Sequence, residues 1–301
     1  MKLAVTGGTG FVGSRLLDAA LADGHEVRAL TRRPMDARAN VDWVCGALDD
    51  IAALSKLAAG AQAVIHLAGV LTGRTPADFD KANVDGTQAT LDAATAAGVE
   101  RFIHVSSLAA REPQLSLYGA SKAKSEKLVA GSGLSAAIVR PPAVYGPGDK
   151  ETLDLFRMAK LGVVLLPPAG RLSLIHVDDL VGLLLALAGT SAPTGQIIEP
   201  DDGRRGGWSH KDFAQALGAA VGRRGVSLSV PSGLLRLAAR ADRLLRGDRA
   251  KLTADRAAYF SHPDWVVDPS LAAPPNLWQP QIETMDGLSA TAQWYRAQGW
   301  L

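Results

Sequence analysis

The feature that most constrains this chain is its opening stretch, Lys2-Leu-Ala-Val-Thr-Gly-Gly-Thr-Gly-Phe-Val-Gly-Ser-Arg15. Leu3 to Thr6 is a short apolar run, and Gly7, Gly10 and Gly13 follow at intervals of three. From Phe11 the pattern becomes helical, with Phe11, Leu16, Leu17, Ala20 and Leu21 recurring at three- and four-residue steps. Strand, glycine-rich turn and helix together form a cradle for a pyrophosphate. The glycines let the backbone turn sharply and approach the ligand, and the first helical N–H groups point at the phosphate oxygens. The spacing G-x-x-G-x-x-G differs from G-x-G-x-x-G, and an ordinary strand-to-helix turn is the alternative.

The next 130 residues repeat that alternation. His25 to Thr31, Val41 to Cys45, Ala63 to Gly69, Arg101 to Ser106 and Ser135 to Arg140 read as strands. Ile51 to Ala59, Phe79 to Ala97 and Leu117 to Ala130 read as the helices between them. The expected fold is α/β, a Rossmann-type doubly wound parallel sheet. Past Pro147-Gly148 the regularity loosens: Thr152 to Leu161 and Asp178 to Ala188 read as helices, Leu172 to Val177 and Gln196 to Glu199 as extended segments. Ser209 reads as the N-cap of a further helix, with Asp212 in its first turn. The expected organisation is a dinucleotide-binding domain over 1–150 with a return segment near 172–190, and a smaller C-terminal substrate lobe over 151–301.

With 301 residues, 47% hydrophobic and 21% charged, the composition is that of a folded globular protein and excludes disorder. A net charge of +2 makes no electrostatic case for nucleic acid as the main partner. Cys45 is the lone cysteine, so no intrachain disulfide forms and a reducing compartment is expected. Met1-Lys2 runs straight into the first strand, so no signal segment is expected. The longest apolar run, Leu180 to Ala188, is too short to span a bilayer, so a cytoplasmic location is expected. No His, Cys, Asp or Glu cluster shows metal-ligand spacing, and no metal is expected.

Chemistry concentrates at Tyr118-Gly-Ala-Ser-Lys122. On a helix this spacing places a phenol and an ammonium on one face. An ammonium beside the phenol favours phenolate and lowers a pKa that is otherwise near 10. Ser106-Ser107 stands just before this pair, at the C-terminal end of the fifth strand, the edge where doubly wound sheets bind ligands.

T-G-G-T-G-F-V-G at 6–13, His66-Leu-Ala-Gly69, Asn83-Val-Asp-Gly-Thr87, Ser106-Ser107 and Tyr118-x-x-x-Lys122 resemble the extended short-chain dehydrogenase/reductase family, whose members include NAD(P)-dependent epimerases and dehydratases. Arg140-Pro-Pro-Ala-Val-Tyr-Gly-Pro-Gly148 and His176-Val-Asp-Asp179 continue the resemblance in the family's order, over about the first 190 residues. The resemblance implies a catalytic Tyr118, a Lys122 that also holds the nicotinamide ribose, and a Ser107 bonded to the substrate oxygen. Ser106 would face cofactor or core. Asn83 would lie in the helix beneath the nicotinamide, and Pro141, Pro142 and Val144 would line its pocket. Thr9, Phe11 and Val12, with Gly7, Gly10 and Gly13, would meet the pyrophosphate side. Leu67, Ala68 and Gly69 would contact the cofactor after the fourth strand, and Leu48 near the adenine.

Departures from the family pattern bear on the ligands. NAD-binding members carry an acidic residue at the end of strand two, and this chain has Thr31-Arg32-Arg33 instead. Arg32 and Arg33 suit a 2′-phosphate, so NADP(H) is favoured over NAD(H), the alternative being two solvated arginines. Ala47 replaces the acidic residue that usually follows the glycine after strand three. Sugar-nucleotide members carry a phosphate-binding arginine where this chain has Leu172, with Arg171 one residue off. Leu161 to Pro168 is apolar and is either a pocket wall or a buried strand. His176, between Ile175 and Val177, reads as a core histidine joining the two lobes.

The expected activity is hydride transfer to or from a ketone or secondary alcohol on an apolar or lipid-like substrate, with Tyr118 as acid or base. A sugar-nucleotide epimerase or dehydratase is the rival enzyme, and a non-catalytic NADP(H)-binding subunit or redox sensor the rival of another class. Leu234 to Lys251, drawn as a helix, places leucines on one side and Arg236, Arg240 and Arg243 on the other. It either packs on the lobe or associates weakly with a membrane surface. Pairing of the Phe79–Ala97 and Leu117–Ala130 helices across a two-fold axis would make a homodimer.

Overall fold

In the computed structural model the first half of the chain forms β1 (Lys2–Thr6), α1 (Phe11–Ala22), β2 (Glu26–Thr31), β3 (Val41–Cys45), α2 (Ile51–Ala58) and β4 (Ala63–His66). There follow α3 (Pro76–Asp80), α4 (Gly86–Ala96), β5 (Arg101–Val105), α5 (Leu117–Ala130) and β6 (Ala136–Val139). The chain continues through β7 (Ala143–Tyr145), α6 (Leu153–Lys160), β8 (Val163–Leu166), β9 (Arg171–Leu172), β10 (Leu174–His176), α7 (Val177–Ala188) and β11 (Gln196–Ile198). Last come β12 (Trp208–Ser209), α8 (His210–Ala220), β13 (Val226–Ser229), α9 (Ala254–Phe260), β14 (Asp264–Trp265) and α10 (Thr284–Ala297). The structure describes residues 1–167, 169–189, 195–231, 233–234, 237, 242 and 254–301. Most of the basic segment 234–251 therefore lies outside the described residues.

Seven strands pair in parallel in the order β11-β6-β5-β4-β1-β2-β3, the doubly wound arrangement. β4, β5 and β6 are nearly continuous buried apolar runs because helices cover both faces of such a sheet. The winding reverses between β1 and β4, so the segments leaving these two strands diverge and open a crevice at their C-terminal ends.

Two compact units result. The first comprises Met1–Pro141, Asp178–Pro200 and Ser270–Gln279; the second comprises Pro142–Val177, Asp201–Pro269 and Pro280–Leu301. Relative to the expected organisation, the division falls after Pro141, and Ser270–Gln279 is a second return segment. Within the second unit, short sheets (β7 with β10, β9 with β12 and β14, β8 with β13) surround a core that includes Tyr145, Phe156, Trp208, Phe213 and Tyr295.

Two expectations for the first unit change in detail. The helix expected over 79–97 begins earlier, at Pro76, because Thr75 and Asp78 form a reciprocal capping box with proline at the first helical position. It also contains a π-turn, Lys81–Asp85, between α3 and α4. β4 ends at His66 rather than Gly69, since the Ala68 and Val70 N–H groups turn to the side chains of Thr6 and Asn83. No described helix is long and apolar enough to cross a membrane.

Candidate active site

At the end of β1 the backbone turns at Gly7 with φ of +75°, a conformation that disfavours any residue with a Cβ. A Cβ at Gly7 would also lie 2.8 Å from the Ala68 nitrogen, and one at Gly13 would come within 2.1 Å of the Gly7 carbonyl oxygen. The two glycines thus let α1 and the exit of β4 close onto the turn. Gly10 caps α1 with no side-chain hydrogen bond, and the first helical turn has no acidic residue. This helix end keeps its positive character unopposed, which fits an anionic pyrophosphate. Thr9 and Gly10 are exposed there, with Phe11 and Val12 half-buried.

A directional chain of hydrogen bonds lies behind the turn. The Thr6 hydroxyl accepts the Ala68 N–H at 3.2 Å and meets His66 Nδ1 at 2.8 Å. The Thr87 hydroxyl donates to the Asn83 carbonyl at 2.8 Å and therefore accepts from His66 Nε2 at 3.1 Å. These partners assign the Nε2-protonated tautomer. Burial, helped by the charge of Lys122, pushes the His66 ring down to about 3. Asn83 is buried in the π-turn. Its Oδ1 accepts from the Val70 N–H at 2.8 Å, and its Nδ2 donates to the Val70 carbonyl at 3.1 Å and to Ser121 Oγ at 2.9 Å. It ties the segment after β4, including Gly69, to α5.

Ser107 follows β5 and accepts the Ala109 N–H at 3.2 Å, capping a short 3-10 turn. Ser116 caps α5 by accepting from the Gly119 N–H at 2.9 Å, which fixes Tyr118 in the first turn of that helix. Burial pushes the Tyr118 phenol up to about 12, and the Ser107 side chain opposes that rise. Lys122 is buried and donates from Nζ to the Val105 carbonyl at 2.8 Å. Burial pushes its ammonium down to about 8, and Glu126 works against that fall. The expected lowering of the phenol by Lys122 is therefore overridden: burial dominates at Tyr118, and the ammonium is fastened to the strand. His104 Nε2 meets Ser125 Oγ at 3.0 Å, and its ring stacks on His66 at 5.6 Å. Burial, then Lys122 and His66, hold His104 well below the usual histidine range.

Ser106 is buried and faces the core. Its hydroxyl donates to Glu126 Oε1 at 2.5 Å. Arg140 grips the same carboxylate with two nitrogens, at 2.9 and 2.7 Å, and reaches Glu199 at 3.2 Å. Adjacent strand-end residues thus hold two residues one turn apart on α5, Val105 holding Lys122 and Ser106 holding Glu126. Glu126, His66 and Ser121 were not singled out from sequence. Glu126 was visible as the carboxylate four residues beyond Lys122, on the same helix face.

Other candidates spread out. Pro141 accepts the Leu108 N–H at 3.0 Å and so borders the Ser107 turn. Pro142 and Val144 belong to the second unit, Val144 in β7. Arg32 and Arg33 are exposed after β2, where the Thr31 hydroxyl donates to the Arg33 carbonyl at 2.8 Å. Leu48, after β3, packs against Gly86. In the second unit His176 is buried edge-on to Tyr145 at 5.3 Å. Arg171 donates to the carbonyls of Gly206 and Gly207, and Leu172 packs on the second core.

The sequence pattern of the NAD-dependent epimerase/dehydratase family matches residues 3–199. The chain is similar to a ceramide reductase of Caulobacter vibrioides, at 40% identity over 308 aligned positions that take in 99% of this chain and 96% of that protein. It is 32% identical to the 4-hydroxy-2-methyl-3-oxo-4-farnesyl-3,4-dihydroquinoline-1-oxide ketoreductase of Stigmatella aurantiaca, over 67% of this chain and 69% of that one. The fold is shared with MoeE5 in complex with UDP-glucuronic acid and NAD, at a TM-score of 0.75 and 22% identity over 99% of both chains. It is shared also with the human epimerase family protein SDR39U1 with NADPH, at a TM-score of 0.73 and 20% identity over 97% of this chain and 99% of that one. From the glycine turn to the Tyr118–Lys122 helix and on to β11, the chain belongs to the NAD-dependent epimerase/dehydratase family of extended short-chain dehydrogenases/reductases, and it is an NAD(P)-binding oxidoreductase.

Proposed function

We propose that this protein is a cytoplasmic NADP(H)-dependent ketoreductase acting on a lipid-like ketone of the ceramide class. The observation that carries the reading is Tyr118 and Lys122 one turn apart on α5, with Lys122 fastened to the end of β5 just before the Ser107 turn. The nicotinamide supplies the hydride. A phenol pushed up to about 12 is neutral at physiological pH and so is an acid, the form needed to protonate the oxygen of a ketone as it is reduced. Ser107, at the end of β5, would hydrogen-bond the same oxygen. Lys122 brings positive charge to the site and holds it against the end of β5.

The glycine turn and the uncapped start of α1 would hold the pyrophosphate, and Arg32 and Arg33 a 2′-phosphate. The second unit would receive the substrate. Leu172 and the committed Arg171 leave it without the arginine with which sugar-nucleotide members hold phosphate, and the similarity to a ceramide reductase supports a lipid-like ketone.

Mixing the protein with NADPH and a panel of ketones, including a long-chain keto-ceramide, should give net NADPH oxidation, lowered about 10² to 10⁴-fold in Tyr118→Phe. Isomerisation of a UDP-sugar without net oxidation would establish the epimerase instead. Arg32→Ala and Arg33→Ala should each weaken NADPH binding by about one to two decades and leave NADH nearly unchanged. Equal calorimetric affinities for both cofactors in the wild type would overturn the assignment.

A further inference from the structure

β8 and β13 form a two-stranded parallel ribbon in the second unit, with Val163 beside Val226 and Leu165 beside Leu228. Side chains alternate along β8: Val164 and Leu166 are buried, whereas Val163 and Leu165 face outward. The outward face is aliphatic throughout, with Leu165 50% exposed, Val226 48% and Leu228 49%. Leu161, just before β8, is 85% exposed. Elsewhere among the described residues large exposed hydrophobic side chains are scattered; here they adjoin, and Leu234 and Leu237 continue the run in sequence. A contiguous aliphatic face of this kind marks an interaction surface.

The charges around it point to the partner. Exposed Arg223 and Arg224 lead into β13, and the Arg224 carbonyl comes within 3.9 Å of a Cβ placed on Gly162, at the end of the ribbon where Leu161 stands. Neither of the sequence stretches within which the two strands lie, 155–177 and 213–241, contains an aspartate or glutamate. The chain holds 30 acidic residues in all, so this is a selective gap. Aliphatic side chains bordered by arginine, on sequence stretches free of carboxylates, match a boundary where acyl chains lie beneath anionic headgroups.

We infer that the β8–β13 face docks on an anionic phospholipid bilayer. The surface stands on its own geometry, and the choice of a bilayer as occupant rests on the lipid-like substrate proposed above. Docking there would bring the second unit to the phase in which such a substrate resides.

The test is co-sedimentation of the full chain at low salt with vesicles of mixed phosphatidylcholine and phosphatidylglycerol, and with vesicles of phosphatidylcholine alone. The wild type should pellet with the anionic vesicles only. Arg223→Gln/Arg224→Gln should weaken binding about thirtyfold, the equivalent of about 1 kcal/mol per arginine. Leu165→Glu/Leu228→Glu should abolish it. Both variants should keep the wild-type melting temperature and the wild-type rate on a short-chain, water-soluble ketone, so that vesicle binding is read apart from the reductase activity. The inference fails if the wild type does not pellet. It fails equally if pelleting survives both pairs of substitutions, which would assign the contact to another surface. Self-association of the wild type, abolished by Leu165→Glu/Leu228→Glu and without vesicle binding, would show that a second copy covers the face and would also overturn it.

Discussion

The residue that sets the proton chemistry at one remove is Glu126. Lys122 is pushed down to about 8 by burial, and the carboxylate one turn away is the group that holds it up. The other titratable groups around the ammonium are Tyr118, His66 and His104, and the two histidines stay neutral across the working range. Reduction should therefore decline as pH rises through about 8 and Lys122 loses its charge. Glu126→Gln removes the supporting charge, so this alkaline limb should move to lower pH by about one unit or more. Glu199→Gln breaks the same network at the far end of Arg140 and should leave the limb in place. The pH dependence of kcat/KM checks both variants, and an equal displacement in the two would reduce Glu126 to a structural part. From sequence the pair Tyr118–Lys122 was legible because its chemistry is carried by spacing on one helix. The sign of the shift at Tyr118 was not, because burial depends on what strands and loops far apart in the chain place around the ring.

Among the elements, the turn between β1 and α1 is the least tolerant. Alanine at position 13 would place a methyl group 2.1 Å from the Gly7 carbonyl, with Gly8 Cα at 2.7 Å, and both neighbours are backbone. Gly13→Ala should cost about 1–3 kcal/mol of stability and remove NADPH binding, as read by thermal melting and cofactor titration. A wild-type affinity in that variant would show that α1 need not approach the turn. This element was legible in full, since strand, glycines and helix are contiguous in sequence. The π-turn at Lys81–Asp85 was not, because a 3.6-residue pattern says where a helix runs but not where an extra residue is let in to turn Asn83 inward. β7 and β13 are three and four residues long and pair with segments distant in sequence, which leaves no local signature. α10 was not read either, although Leu288, Ala292 and Tyr295 form a stripe behind the capping Glu283.

At the scale of the whole molecule, two buried neutral histidines make stability depend on acid. An unfolded ring takes up a proton below about 6.5, while folded His66 does so only near 3. Between those values the unfolded chain binds more protons, so stability falls as pH falls. His104 acts in the same direction. Lowering the pH from 7.5 to 5.5 should cost about 1.4 kcal/mol for His66, and His104 adds to the loss. Urea unfolding at the two pH values measures it, and a combined loss below about 1 kcal/mol would mean that the rings do not stay neutral. The order of the segments has a further consequence, for biosynthesis. The first unit is assembled from three stretches, and its last, Ser270–Gln279, supplies Leu271, whose carbonyl receives the Glu199 N–H at 2.9 Å. Until residue 271 has left the ribosome, the strand end at Glu199 lacks that restraint, and β11 is held by its pairing with β6. The glycine turn is thus synthesised about 260 residues before the segment that completes the nucleotide unit around it.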